Sequence, residues 1–307
     1  MLKGRLGLET ARIPHKDRNG LIWLSRGALT VEDGTLRFVH PKAEAAALET
    51  VSMPPGDYAI PFQMVSMILL GPGSTVSHDA LRLCARHGTA IVAVGDDGVR
   101  AYTAPPLIPD QSGFARRQAR VWSDADGARL DIARRMYAWR LGEILPHSDI
   151  ATLRGIEGAR VKQMYKLQAD RFKIKWQGRR YDRANPLAAD LPNQALNHAA
   201  SAVEAAAAIA VSATATIPQL GFIHEDSGQS FVLDIADLFR DDFTVPTAFA
   251  AAAHVDKHPD ESIERTTRRN AGIAMRKGQL IDQMIDRIKQ LFGDPDPPPG
   301  KPQPPGS

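Results

Sequence analysis

Two aspartates lie within an apolar run at 230–240 that reads SFVLDIADLFR. Asp234 and Asp237 are three positions apart, so a helix would carry both on one face, with Cβ atoms roughly 5–6 Å apart. Carboxylates this close repel each other, and burying them is costly unless a positive charge lies between them. A divalent cation would supply that charge. The alternative is that Asp234 caps a helix and Asp237 lies in its first turn, where the helix dipole favours acids.

A third acid and a histidine extend this set. Glu157 lies in LRGIEGARVKQMY between two glycines, which let a ligand or another backbone approach closely. His224 lies in LGFIHEDSGQSF, and a loop of that length can fold its ring back beside the following helix. The alternatives are an ordinary glutamate near a helix start and a hydrogen-bonded core histidine. Glu225 and Asp226 are rival carboxylates, but their polar neighbours place them on a solvated loop.

Together these residues predict a metal centre. Carboxylate oxygens with one imidazole suit Mg²⁺ or Mn²⁺ and differ from a thiolate zinc site. We predict Glu157, His224 and Asp234 as metal ligands, with Asp237 as a further ligand or support, and all four as catalytic residues. A metal of this kind beside a basic surface suits phosphodiester chemistry, because it lowers the pKa of an attacking hydroxyl.

Basic residues concentrate between positions 100 and 183, where acids are sparse and tyrosines and tryptophans are interleaved. The net charge of the chain is only +3, so the distribution is more informative than the total. Arginine binds phosphate in planar geometry, and aromatic rings stack on bases. The alternative is a set of solvated helix faces with ordinary core aromatics. From this segment we assign DNA binding to Arg100, Arg154, Arg160, Lys162, Tyr165, Arg179, Arg180 and Tyr181.

The elements that must position these residues change in character along the chain. Residues 1–102 predict a small β-rich, sandwich-like domain with one helix, in which Asp33–Gly34 and Asp97–Gly98 mark turns. Its helix would be capped by Ser74, Thr75 or Ser77 and end before Gly88. A linker at 103–113 leads to helical periodicity over 114–292, and a Pro-rich flexible tail fills 293–307. We therefore predict an α+β protein with a larger, all-α catalytic domain after the small one.

Composition excludes several classes of protein. The single cysteine, Cys84, excludes an internal disulfide and a cysteine-based metal site, and it fits a reducing compartment. The first residues lack the apolar stretch of a secretory signal, and no apolar run reaches the ~18 residues of a membrane span. The Ala-rich stretch at 198–222 contains Glu204 and His198, so it predicts a buried helix. We expect a cytoplasmic protein that does not enter the membrane.

Several motifs, in order along nearly the whole chain, resemble the Cas1 family of CRISPR-associated integrases, in the form found in type I, subtype E systems. They are IPHKDR (13–18), VSHDALRLCARHGT (76–89), VGDDGVRAY (94–102), LRGIEGARV (153–161), WQGRRYD (176–182), LGFIH (220–224) and SFVLDIADLF (230–239). The resemblance implies an N-terminal β-rich domain that dimerises and a helical domain with a Glu, His and Asp metal site. Those residues fall on Glu157, His224 and Asp234, with Asp237 one helical turn later.

The resemblance also implies an activity and partners. The family captures double-stranded DNA, the prespacer, and joins its 3′-hydroxyl ends to the repeat of the CRISPR array beside the leader. Two homodimers flank a dimer of a small partner protein, Cas2, in a hetero-hexamer. Three positions depart from the family pattern or leave a contact open: Arg26, where a ring could cap a DNA end, and Ser227 and Leu233 beside the metal site.

Two other activities remain open at this point. A stand-alone, metal-dependent nuclease that cleaves branched or single-stranded DNA would use the same residues. A non-catalytic DNA-binding scaffold would need no metal, but it would have no reason to keep buried carboxylates, which are costly.

Overall fold

The computed structural model describes residues 18–41, 54–95, 100–102, 113–124, 127–144, 149–180, 189–225 and 227–293. Two sheets and one helix form the first part of this structure, and eight helices form the second. The elements of the first part are β1 (Asn19–Leu24), β2 (Ala28–Glu32), β3 (Thr35–His40), β4 (Gly56–Ala59), β5 (Val65–Leu70), β6 (Thr75–Val76), α1 (His78–His87) and β7 (Ala90–Ala93).

One sheet is parallel, with strand order β1-β5-β7, and the other is mixed, with order β4-β3-β2-β6. All six residues of the central strand β5 are buried, as expected when both faces of a parallel sheet are covered. Its side chains alternate between two cores: Ile68 and Leu70 join the cluster between the sheets, whereas Met67 and Leu69 join the cluster under the helices. The predicted sandwich-like arrangement is therefore present.

Local sequence signals explain the turns and the first helix. Asp33 and Gly34 both have positive φ, 50° and 76°, in the tight turn between β2 and β3. The side chain of Ser77 accepts a hydrogen bond from the backbone of Ala80 and caps α1, and Gly88 ends that helix in the left-handed region. Burial raises the pKa of Cys84 on α1 to about 12. The predicted Asp97–Gly98 turn lies outside the described residues.

Residues 19–32, before the Asp33–Gly34 turn, form two strands that belong to separate sheets, β1 and β2. The chain turns between them at Ser25–Gly27. A Cβ at Gly27 would lie 2.4 Å from the ring of Phe38, so only glycine allows this close approach. Residues 19–32 therefore contribute one strand to each sheet.

The helical part surrounds a central Ala-rich helix. Its elements are α2 (Phe114–Trp122), α3 (Ala128–Leu141), α4 (Ile150–Phe172), α5 (Leu191–Ala213), α6 (Ser230–Asp237), α7 (Val245–Lys257), α8 (Ile263–Gly278) and α9 (Leu280–Phe292). Small side chains on α5 let α6, α7, α8 and α9 all pack against it. A short π-helical turn, Arg240–Thr244, joins α6 to α7. None of the helices in the described ranges is long and apolar enough to cross a membrane.

The parallel sheet and the helices share one hydrophobic cluster, which includes Met67 and Leu69 of β5, Val92 of β7, Ala206 of α5 and Ile288 of α9. This core therefore contains residues from both sides of the predicted linker. Residues 103–112 of that linker and 294–307 of the predicted tail lie outside the described part of the chain. The predicted α+β class, with a small β-rich part before a larger helical part, is confirmed.

Candidate active site

An open cavity of about 410 Å³ brings the predicted residues together from separate elements. Glu157 comes from the second turn of α4, which begins at the capping residue Asp149. His224 comes from the loop between α5 and α6, and Asp237 is the last residue of α6. The cavity is lined by Arg154, Glu157, Ile223, His224, Glu225, Ser227, Leu233 and Asp237.

Asp234 has a separate role behind the cavity. Its side chain is fully buried, and its carboxylate accepts backbone hydrogen bonds from Phe222 at 2.5 Å, Ile223 at 3.1 Å and His224 at 2.9 Å. It also accepts a hydrogen bond from His224 Nδ1, at 2.8 Å. Three converging N–H donors and one ring nitrogen stabilise the buried negative charge without a metal. The backbone of residues 222–224 therefore curves around the carboxylate of Asp234.

His224 is oriented by this contact. Because Nδ1 bonds to Asp234, Nε2 points towards Asp237, with 3.8 Å between Nε2 and Asp237 Oδ2. The hydrogen bond to Asp234 raises the pKa of His224; burial opposes it, and the charges of Asp237, Asp234 and Glu157 add to it. The ring thus presents one nitrogen to the acids of the cavity. A buried carboxylate that fixes a histidine in this way is the usual support of a metal ligand.

The structure gives the two aspartates of the predicted ligand set different surroundings. Asp234 and Asp237 do lie one turn apart on a helix, but Asp234 is buried with its oxygens engaged, whereas Asp237 lines the cavity. The arrangement does not fit Asp234 as a direct metal ligand. It favours Asp237 in that place, with Asp234 as the residue that orients His224. The capping alternative also fails, because the N-cap of α6 is Gln229.

Two arginines hold the carboxylates that face the cavity. Arg240 donates to Asp237 Oδ1 from Nε at 2.9 Å and from Nη2 at 2.6 Å. Arg140, whose side chain is 5% exposed, places Nη1 2.5 Å from Glu157 Oε1 and 3.6 Å from Asp237 Oδ2. Within the described residues, no three His, Cys, Asp or Glu side chains are close enough to share one ion as they stand. Arg140 takes the position between Glu157 and Asp237.

Two more acids lie near this cluster. Asp241, in the π-helical turn, lies 3.9 Å from Arg140, and burial raises its pKa while Arg140 partly offsets that shift. Burial and the charge of Asp237 raise the pKa of Glu204 on α5. π-helical turns inside helices are frequent at functional sites. The wider turn places Asp241 on the same side as Asp237.

A buried phenol lies beside Glu157. Tyr137 on α3 is 1% exposed. Burial, followed by the charge of Glu157, raises the pKa of Tyr137 to about 12. The hydroxyl therefore stays protonated at neutral pH.

The loop that carries His224 is also held by α2. The amide of Gln118 donates to the carbonyls of Ile217 and Leu220 and accepts from the backbone of Ile217. Trp122 Nε1 donates to the carbonyl of Gly221, at 2.9 Å. A Cβ at Gly221 would lie 2.3 Å from the carbonyl oxygen of His224, so glycine is required for this turn.

Sequence reasoning missed Arg140 and Gln118. Arg140 was counted only among the surface cations, yet it follows the apolar residues Met136, Tyr137 and Trp139 in α3, the same signal that singled out Asp234. Gln118 is a fully buried amide on α2, next to basic residues that hide it.

The predicted DNA-binding residues separate into three groups. Arg154 and Lys162 are exposed on one face of α4, with Arg154 at the cavity and also bonded to the carbonyl of Ile223. Arg100 and Arg160 are paired with Glu264 and Glu143. Arg179 bonds to the side chains of Asn193 and Asn197, and Arg180 is exposed beside it. The cationic face of α4 therefore begins at the cavity.

The two predicted tyrosines have different outcomes. Tyr165 is 4% exposed and packs between Trp176, at 5.1 Å between ring centroids, and Phe249, at 6.3 Å. Its ring is a core residue, so the prediction that it stacks on bases is wrong for this arrangement. Tyr181 lies outside the described residues. Of the positions that depart from the family pattern or leave a contact open, Ser227 and Leu233 line the cavity, and Arg26 is exposed on the turn after β1.

Comparison with known proteins relates this chain to one family. The model of the family "CRISPR associated protein Cas1" matches residues 140–267, which span Arg140 and all four predicted site residues. A Cas1 endonuclease of Rhodospirillum rubrum is 35% identical over 90% of this chain and 85% of its own length. One from Escherichia coli is 34% identical over 91% of this chain and 87% of its own.

A solved structure supports the same assignment. The crystal structure of a TtCas1–DNA complex superposes with a TM-score of 0.77 at 31% identity, covering 92% of this chain and 99% of that one. The chain therefore belongs to the Cas1 family of CRISPR-associated proteins.

Proposed function

We propose that this protein is a metal-dependent DNA nuclease and integrase that serves CRISPR adaptation. The observation that carries the proposal is the cavity where Glu157, His224 and Asp237 meet at the start of the cationic face of α4. The relatives from Rhodospirillum rubrum and Escherichia coli are named endonucleases, and TtCas1 was solved with DNA, which supports a nuclease that acts on DNA. The subtype E-like assignment remains part of the proposal.

The metal would be Mg²⁺ or Mn²⁺, held by Glu157, His224 and Asp237. Two carboxylates and one imidazole suit these ions. The buried Oδ1 of Asp241 has no hydrogen-bond partner, which fits a cluster with spare negative charge. When bound, the metal supplies a lower pKa for the attacking hydroxyl and a positive charge beside the phosphate.

The residues of the chain position that ion and the DNA. Asp234 keeps His224 in one tautomer, with Nε2 directed at the cavity. Arg154 lies on the cavity wall, and its remaining donors are free to bind a phosphate, because a guanidinium carries five N–H groups. Lys162 and Lys166 continue the same face of α4 along the path of a DNA backbone.

The reaction is a transesterification. The 3′-hydroxyl of the prespacer attacks a phosphodiester at the end of a repeat. A new bond forms between that oxygen and phosphorus, the bond to the departing 3′ oxygen breaks, and no covalent enzyme intermediate is needed. The proposal includes a homodimer and a hetero-hexamer with Cas2, in which Arg180 and Tyr181 contact DNA.

The test is a strand-joining assay. Purified protein, with and without Cas2, is mixed with a labelled duplex and a supercoiled plasmid that carries a repeat, in Mg²⁺, Mn²⁺ or EDTA. We expect metal-dependent transfer of label into the plasmid, lost in His224→Ala and kept in the surface control His40→Ala. Nicking without label transfer would support a nuclease that does not join strands. Binding of DNA with neither activity in any metal would support a scaffold.

A further inference from the structure

Arg140 is a buried cation surrounded by carboxylates from several elements. It lies near the end of α3, and its guanidinium reaches Glu157 on α4 at 2.5 Å and Asp237 on α6 at 3.6 Å. Its second terminal nitrogen lies 3.9 Å from Asp241, in the π-helical turn. The side chain is only 5% exposed. A buried charge of this kind is tolerated because opposite charges surround it.

The hydrogen bonding around Arg140 is incomplete. Its Nε is buried without a hydrogen-bond partner, and so is Oδ1 of Asp241. A guanidinium placed only to complete a network would have its donors satisfied. Here the positive charge matters more than the individual hydrogen bonds, because Glu157, Asp237 and Asp241 outnumber the two arginines that face them.

Arg140 contacts the same two carboxylates that an ion in the cavity would bind. Arg140 Nη1 approaches Glu157 and Asp237, the two carboxylates that would ligate the metal. The guanidinium and the metal would therefore interact with the same two negative charges. Two cations in a partly buried site repel each other strongly. Asp241 is different, because it faces Nη2 and does not line the cavity.

We propose that Arg140 is a resident counter-cation, which holds Glu157 and Asp237 together in the metal-free protein and competes with the metal for them. Asp241 is the carboxylate that retains Arg140 when the metal binds. Arg140 is thus a positioning residue that lowers metal affinity in exchange for a stable metal-free site. This inference rests on the proposed function, since it assumes that the acids of the cavity bind a divalent cation.

The experiment compares Mn²⁺ binding in four proteins: wild type, Arg140→Gln, Arg140→Lys and Asp241→Asn. The dissociation constant is measured by electron paramagnetic resonance of free Mn²⁺, and melting temperatures are measured in EDTA and in saturating Mn²⁺. Arg37→Gln is the matched control, because it removes an arginine from an ion pair, with Asp57, in the mixed sheet.

We expect Arg140→Gln to bind Mn²⁺ about tenfold more tightly than wild type, because one unit charge beside a divalent ion is removed. In EDTA it melts at a lower temperature, and Mn²⁺ restores more of its stability than in wild type. Arg140→Lys keeps the charge and stays within about threefold of wild type. Asp241→Asn binds Mn²⁺ about threefold or more weakly, because Arg140 loses its second partner. Arg37→Gln leaves the dissociation constant unchanged.

Equal or weaker binding in Arg140→Gln would overturn the counter-cation. If that variant does not fold, Asp241→Asn decides: unchanged or tighter Mn²⁺ binding overturns the proposal. Failure of the proposed function is a separate outcome, in which neither wild type nor Arg140→Gln binds Mn²⁺. Binding by Arg140→Gln but not by wild type would support the inference in its strongest form.

Discussion

Arg18, beside the parallel sheet, and the side chain of Arg140, among the helices around the cavity, are both largely buried, yet their surroundings differ. Arg18 donates to three backbone carbonyls, those of His87 at 2.7 Å, Gly88 at 2.9 Å and Val65 at 3.3 Å. Arg140 instead forms ion pairs with the carboxylates of Glu157, Asp237 and Asp241.

The difference is that Arg18 donates to neutral backbone groups, whereas Arg140 is paired with negatively charged side chains. Arg18 lies at the C-terminal end of α1, where free carbonyls and the helix dipole favour a cation. These three carbonyls are neutral, and none belongs to a residue that lines the cavity. The partners of Arg140 are carboxylates, which are the kind of group that binds divalent cations.

The largest expected effect is on catalytic activity, and it comes from Asp237, one of the carboxylates paired with Arg140. Asp237→Asn should reduce strand joining and nicking by more than about 100-fold, because altering even the groups that orient a metal ligand typically costs 10- to 100-fold. Its melting temperature should fall only modestly, because Arg240 and Arg140 lose one partner while Arg140 keeps Glu157 and Asp241. Plasmid assays and thermal melts measure both. Asp57→Asn, which breaks a surface ion pair, is the control, and substantial activity in Asp237→Asn would remove it from the ligand set.

Asp234→Asn should affect both stability and activity. The amide cannot accept all four hydrogen bonds that now converge on the carboxylate, so the free energy of unfolding should fall by about 2 kcal/mol. Because His224 loses its orientation, joining should fall by about 10- to 100-fold. Urea unfolding and the joining assay report the two effects. A loss of activity with unchanged stability would instead return Asp234 to the role of a direct ligand.

Arg18→Met tests the structural side of the comparison. Three carbonyls would lose a buried donor, so the free energy of unfolding should fall by about 3 kcal/mol. The dissociation constant for Mn²⁺ should be that of wild type, because no carboxylate of the cavity is involved. Arg82→Met, which removes an exposed pair with Asp79, should cost far less. A change in Mn²⁺ affinity in Arg18→Met would break the comparison.

The smallest expected effect is a pH dependence confined to the region of Arg140. The folded-state pKa of His224 is raised above 6.5, so its contribution to stability is full below pH 6.5 and is lost as the pH rises through the folded pKa. In EDTA, the stability of wild type should therefore fall more between pH 6 and pH 9 than that of His224→Gln. Urea unfolding at several pH values measures this slope. Arg18→Met should keep the wild-type slope, because a guanidinium and carbonyls do not titrate in this range.

The parts of the fold that sequence patterns predicted are those with local causes. The turn at Asp33–Gly34, the Ser77 cap and the Gly88 end of α1 each depend on a few adjacent residues, and all are present. The division of residues 19–32 between two sheets was not predicted. The turn between the two strands brings Gly27 against Phe38, and nothing within residues 19–32 indicates that contact.

The candidate site divides in the same way. Residue types identified Glu157, His224 and both aspartates, because acids in an apolar run are costly without a counter-charge. The different burial of Asp234 and Asp237 was not predicted, since a spacing of three places both on one helix face and leaves the burial of each undecided. Tyr165 was assigned to DNA by its position among basic residues, but Trp176 and Phe249 enclose it.

By itself, the sequence determined the order of the β-rich and helical parts and the kinds of group that could bind a metal and a phosphate. Those properties follow from periodicity, turn residues and side-chain chemistry, which act over a few positions. Only the tertiary structure decided that Asp234 faces the 222–224 turn, that Asp237 faces the cavity and that Arg140 lies between the acids. The physical reason is that burial and charge pairing depend on neighbours brought from α3, α4 and α6, which are distant in the chain.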